Sequence, residues 1–216
     1  LSKLIVKLMT KKRVATLATI ATTLFLLPLQ ASERLKQALD ITPVTEEVTE
    51  EVTEEVTEEV VEEEKRWIGT NFTENETKVL EFLQDQGITD RAALATILGN
   101  IKQESKFHTN ICEGGARVPY NRCHRGGYGL IQWTTSFRYW GLGNTAKQIG
   151  KDPSGIEAQL AWMVKEVEWK QALPTFKTPG QSISYYMKGA YTWLGWGIHG
   201  ARTTYAHQYY NSLQMR

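Results

Sequence analysis

A carboxyl group set on the apolar face of a helix can do acid–base chemistry, and Glu104 has that setting. The stretch from Ala92 to Glu104 reads as one helix, with Leu94, Ile97, Leu98 and Ile101 recurring at helical spacing. Glu104 follows Ile97 by seven residues and Ile101 by three, which places it on that face or at its edge, near the C-terminal end. Loss of solvating water and the partial negative charge of a helix C-terminus both oppose ionisation. A carboxyl so placed can serve as a general acid near neutral pH. The competing reading, an edge carboxylate closing a surface helix, is not separated from this one by position alone.

The second chemical stretch is Gly126-Gly-Tyr-Gly-Leu-Ile-Gln-Trp-Thr134. Its glycines permit close backbone approach, and Tyr128, Gln132 and Trp133 suit the gripping of a sugar. Between the two stretches lie the only cysteines, Cys112 and Cys123. In an exported protein the simplest reading is a disulfide closing this loop. A zinc site using His108, Cys112, Cys123 and His124 is the second reading. Adjacent ligands such as Cys123 and His124 fit one tetrahedral ion poorly, and no C-x2-C spacing is present. A thiol nucleophile paired with His199 or His207 is the third, and neither cysteine has a helix N-terminal setting to activate it. Arg117, Arg122 and Arg125 make the same loop basic. Glycosidases usually carry two carboxyl groups. Glu113, Asp152 and Glu157 are available, but no spacing marks any of them as the partner of Glu104, so an enzyme with one acid/base carboxyl stays open.

The elements that must position these residues occupy only part of the 216-residue chain. All seven tryptophans lie at or after Trp67, and eleven glutamates fall between Glu46 and Glu64. The overall formal charge of +1 hides this asymmetry, since Trp67 to Arg216 carries 16 Lys+Arg against 11 Asp+Glu, a net +5. Residues 1–31 read as an export signal: Lys11-Lys-Arg13 is basic, Val14 to Leu29 is largely apolar, and Leu29-Gln-Ala31 resembles a cleavage site. An uncleaved membrane anchor is the alternative, although the apolar run falls short of the roughly 20 residues a span needs. Residues 32–66 read as a disordered acidic linker, in which Thr-Glu-Glu-Val occurs four times from Thr45 to Val60.

Residues 67–216 read as one basic, mainly α domain. Thr73 and Glu76 have the spacing of a capping box for a helix reaching Gly87. Thr89 or Asp90 caps the helix that carries Glu104. Asp152-Pro153 starts another with apolar positions from Ile156 to Val167. Two more follow, from about Gln181 to Trp193 and from about Ala201 to Leu213. At most a short β-hairpin is expected, between Ile111 and Ile131. A basic domain suits an anionic polymer such as cell wall or nucleic acid. Nucleic acid is disfavoured because the basic residues form no sustained stripe.

Gly99-Asn-Ile-Lys-Gln-Glu-Ser-Lys-Phe107 followed by Gly127-Tyr-Gly-Leu-Ile-Gln-Trp-Thr134 resembles the phage tail lysozyme family, within the lysozyme-like and lytic transglycosylase group. The similarity extends over roughly residues 70–213. It implies a lysozyme-like fold and cleavage of the β-1,4 bond between N-acetylmuramic acid and N-acetylglucosamine in peptidoglycan. Carried over by position, Glu104 becomes the catalytic acid/base, Tyr128, Gln132 and Trp133 line the sugar cleft, and Ser105 lies beside the acid. The arginine-rich Cys112–Cys123 loop departs from the family pattern. The resulting expectation is an exported monomeric glycosidase without metal or cofactor, periplasmic, envelope-bound or extracellular, and compatible with a phage-encoded origin. Its partner is the peptidoglycan glycan strand, with membrane contact only through an uncleaved N-terminal segment. Two other classes stay in play: a cell-wall-binding module of the same fold without catalysis, and a cysteine-dependent peptidase.

Overall fold

The computed structural model describes residues 65–216; the segments read as export signal and acidic linker, up to residue 64, lie outside them. The order of elements is β1 (Trp67–Gly69), α1 (Glu74–Asp85), α2 (Arg91–Ser105), a 3-10 turn (Tyr120–Arg122), α3 (Ser136–Ile149), α4 (Ile156–Met163), α5 (Val167–Lys177), α6 (Ile183–Leu194), α7 (Arg202–Ser212) and β2 (Leu213–Met215). The domain is mainly helical, as expected.

Local sequence signals set the first two helices. The Thr73 hydroxyl accepts from the Glu76 N–H at 3.4 Å, and the Thr73 N–H donates to Glu76 Oε2 at 2.8 Å, which completes the capping box. Asp90 Oδ1 accepts from the N–H groups of Ala92 and Ala93 at 2.8 and 3.0 Å and starts α2. The helix is more deeply buried than an amphipathic reading implies. Every residue from Ala92 to Ile101 is buried, so both the Leu/Ile face and the opposite face of Ala, Thr, Gly and Asn are covered. Small residues on that opposite side let α7 come close. A Cβ on Gly99 would lie 2.4 Å from the Ala206 nitrogen, so the α2–α7 crossing requires glycine there.

Elsewhere the expected pattern is altered. The run from Ile156 to Val167 is two helices, because the chain breaks at Glu166 and turns that side chain into the interior. Helix α3 is absent from the sequence reading. Gly141 weakens its helical signal, yet a Cβ there would fall 2.1 Å from the Trp162 ring, so the glycine makes room for packing. The regular sheet is also elsewhere than expected. β1 and β2 pair antiparallel, Ile68 opposite Gln214, and close the two ends of the domain on each other. The Ile111–Ile131 region contributes two isolated bridges, Ile111 with Arg117 and Cys112 with Tyr128. The core is aromatic: Trp133, Trp169, Trp193, Tyr128, Tyr186 and Phe176 are fully buried. Among the described residues no helix is long and apolar enough to cross a membrane.

Candidate active site

Glu104 and Arg202 meet where the C-terminal turn of α2 faces the first residue of α7. Arg202 Nη2 donates to Glu104 Oε1 at 2.5 Å. Each charge occupies the helix end that disfavours it, an anion at a C-terminus and a cation at an N-terminus. Their pairing offsets both unfavourable placements. Arg202 is buried and held from three directions. Nη1 lies 3.4 and 3.5 Å from the backbone and side-chain oxygens of Asn100, and the guanidinium sits 4.5 Å from the centre of the Trp196 ring. The Glu104 side chain keeps 16% of its surface exposed. Only its Oε1 takes part in a hydrogen bond among the described residues, and Glu104 lines a cavity of about 560 Å³.

The glycine-rich stretch contributes Ile131, Gln132 and Thr134 to the same cavity. Tyr128 and Trp133 exchange backbone hydrogen bonds at 3.0 and 3.3 Å, so residues 128–133 close into a tight turn. Gly129 has φ +73°, and a Cβ there would run into the Gln159 amide at 2.7 Å. Gln159 is completely buried and clasps this turn. Its Oε1 accepts from the Leu130 N–H at 2.8 Å, and its Nε2 donates to Thr109 and Pro153 carbonyls at 2.6 and 3.0 Å. Ser105 then ties the turn to α2 by donating its O–H to the Leu130 carbonyl at 2.7 Å.

The structure therefore divides the residues singled out in the sequence. Glu104 and Gln132 line the cavity together. Gln132 sits in the left-handed region at φ 55°, with its Nε2 donating to the Gly129 carbonyl at 3.0 Å. Ser105, Tyr128 and Trp133 do not line the cavity, because all three are buried behind its wall. Tyr128 Oη reaches Ser154 at 2.8 Å, and Trp133 Nε1 donates to Glu166 Oε1 at 2.9 Å. Trp196 supplies the aromatic surface of the cavity instead. Cys112 and Cys123 form a disulfide, which leaves neither sulfur free to ligate a metal or attack a substrate.

Arg202, Arg138 and Trp196 are cavity residues that the sequence reading did not assign to the site. The tryptophan stood between two glycines, Gly195 and Gly197, a loop composition that hinted at a surface role. Arg138 is held by the inward-turned Glu166, which accepts from its Nε at 2.6 Å and its Nη2 at 3.1 Å. Burial of Glu166 pushes its carboxyl above the usual range, and these donors only partly counter it. Glu104 is the one carboxylate among the described residues lining the cavity, against two arginines. Glu113 is turned away, with Oε2 accepting from the Gly127 N–H at 3.0 Å. Asp152 caps a turn at the Ser154 N–H at 2.8 Å, and Glu157 is exposed outside the cavity.

The arrangement offers a carboxyl group at a concave site, with one oxygen fixed by a guanidinium. Such a group can pass a proton to a ligand oxygen and take one back. A family model described as phage tail lysozyme matches residues 74–213. No curated protein and no solved structure matches the chain.

Proposed function

The chain belongs to the phage tail lysozyme family, and from that premise we propose that it cleaves peptidoglycan glycan strands at the β-1,4 bond following N-acetylmuramic acid, with Glu104 as the acid/base. The observation that carries this reading is the placement of Glu104 in a cavity with no other carboxylate among its described lining residues, one of its oxygens held by Arg202. In its protonated form Glu104 donates to the glycosidic oxygen as the bond breaks. The guanidinium of Arg202 stabilises the carboxylate left behind. That carboxylate then takes a proton from the acceptor. The acceptor is water in a hydrolase, or the 6-hydroxyl of the same muramic acid in a lytic transglycosylase, which gives a 1,6-anhydro end. A single carboxyl serves either route. Gln132 and Trp196 are assigned to holding the sugar, the first by its amide and the second by its ring face. The first 66 residues, read as export signal and acidic linker, would deliver the domain to the cell envelope.

The test is mass spectrometry of soluble fragments after incubating the full chain with purified peptidoglycan, beside Glu104→Gln. The unmutated chain is expected to release muropeptides, with anhydro ends marking transglycosylation and reducing ends marking hydrolysis. Glu104→Gln is expected to lower the rate by about 10²–10⁴-fold with folding intact. A Gln variant of undiminished rate would remove Glu104 from the mechanism. Binding to the wall without any fragment from the unmutated chain would identify a binding module in place of an enzyme.

A further inference from the structure

A second cavity, of about 230 Å³, adjoins the first. Thr134 lines both, so the two are neighbours on the surface. On one side stand His124 and Arg125, directly after the disulfide-closed loop; on the other stand Ser136, Tyr139 and Trp140 at the start of α3. Resting on the reading of peptidoglycan as substrate, we propose that this second cavity binds a carboxylate-bearing segment of the peptide attached to the glycan strand.

The site is built on a rigid seam. The Tyr139 ring stacks on Tyr120 at 4.2 Å, its O–H donates to the Tyr120 carbonyl, and the Cys123 carbonyl lies 3.2 Å away. Burial, with help from Tyr139, pushes the Tyr120 hydroxyl up to about 12, so it stays a neutral donor. The Tyr120 O–H donates to the Tyr139 carbonyl at 2.7 Å, which binds loop and helix reciprocally. The disulfide fixes the end of the loop that His124 and Arg125 follow.

Two features of the lining point to the ligand. Arg125 is exposed, and none of the described ion pairs engages it. Glu113, an acidic residue of the disulfide-closed loop, is already committed to the Gly127 N–H. Arg125 is thus free to take an outside carboxylate, which its planar fork matches. Trp140 leaves 64% of its surface exposed, unusual for the residue type that buries most apolar area. A free cation and an exposed indole lining one cavity suit a ligand that is anionic at one point and apolar beside it. In the intact wall the lactyl carboxyl of muramic acid is tied up as an amide to the peptide, so there the anion comes from the peptide's own carboxylates. The volume is below the ~300 Å³ of ordinary small-molecule pockets, which fits a short segment rather than a separate ligand.

The experiment compares intact peptidoglycan, free of phosphate polymers, with the same material stripped of its peptides by an amidase and with the freed lactyl carboxylates then capped as methyl amides. The unmutated full chain is expected to process intact material faster. Arg125→Ala and Trp140→Ala are expected to lower kcat/KM on intact material by about three- to tenfold, through KM, and to leave stripped strands within about twofold. Arg125→Lys is expected to recover part of the loss. Equal losses on both substrates, or no loss on intact material, would overturn the proposal. If the unmutated chain cleaves neither substrate, the cleavage reading fails by itself. The subsite is then judged by sedimentation with each wall preparation: weaker binding of Arg125→Ala to intact walls alone supports it, and unchanged binding ends it.

Discussion

Replacing Arg202 by methionine isolates the interaction on which the site depends. The guanidinium makes one short bond to Glu104 at 2.5 Å, two longer approaches to Asn100 at 3.4 and 3.5 Å, and a 4.5 Å contact with the Trp196 ring. Breaking a fully buried ion pair costs about 3–5 kcal/mol. The 16% of the Glu104 side chain that meets solvent lets water reach the abandoned carboxylate, which lowers this. Loss of the ring contact adds about 0.5–1 kcal/mol, while methionine refills part of the volume. The expected destabilisation is about 3 kcal/mol, or on the order of 6–12 °C in Tm for a domain of this size. Urea unfolding of the full chain would measure it, beside Glu104→Gln and the double variant. The double variant should fall about 2 kcal/mol short of the sum of the singles, since both remove one shared interaction. A coupling below about 0.5 kcal/mol would refute the reasoning, because the pair would then be absent in solution.

Three further outcomes are expected. Glu76 has its carboxyl below the usual value near 4.5: burial raises it, but the Tyr209 O–H and the Thr73 donors outweigh that. A carboxyl depressed in the folded state contributes stability that is complete above its unfolded value and lost as pH falls through the folded one. Tyr209→Phe should therefore cost about 1–3 kcal/mol at pH 7 and flatten the decline of Tm between pH 5 and pH 3, as calorimetry across that range would show. Gly99→Ala places a Cβ 2.4 Å from the Ala206 nitrogen. It should destabilise by about 1–3 kcal/mol and reduce wall cleavage, since the same crossing aligns Glu104 with Arg202. Cys112→Ser with Cys123→Ser opens a loop of sequence separation 11; a loss of about 3 kcal/mol by denaturant titration is expected.

Much of the domain was legible locally. The capping box at Thr73 and the helical spacing that ends at Glu104 depend on residues within a turn of one another and formed as read, and of the two caps read for α2, Thr89 or Asp90, the structure uses Asp90. The likeness of the paired stretches around Glu104 and Gly127 to the phage tail lysozyme family also stood, since the family model spans residues 74–213. Side-chain direction was less legible. Tyr128, Gln132 and Trp133 share one stretch, but the tight turn at Gly129 sends two of them inward and leaves Gln132 at the cavity. Composition could not reveal that division, because an aromatic ring fills a core as readily as it floors a cleft.

The sequence by itself determined that a carboxyl would stand near the end of a helix with one apolar face, that a glycine-rich stretch would follow, and that two cysteines would bracket the loop between. Only the tertiary structure decided what faces that carboxyl. Arg202 lies 98 residues further along, and no spacing rule connects the two. Their meeting depends on α7 crossing α2 at Gly99, where the absence of a Cβ lets the backbones touch. Helical periodicity tells which side of α2 is apolar; the shape of the crossing tells which cation arrives there.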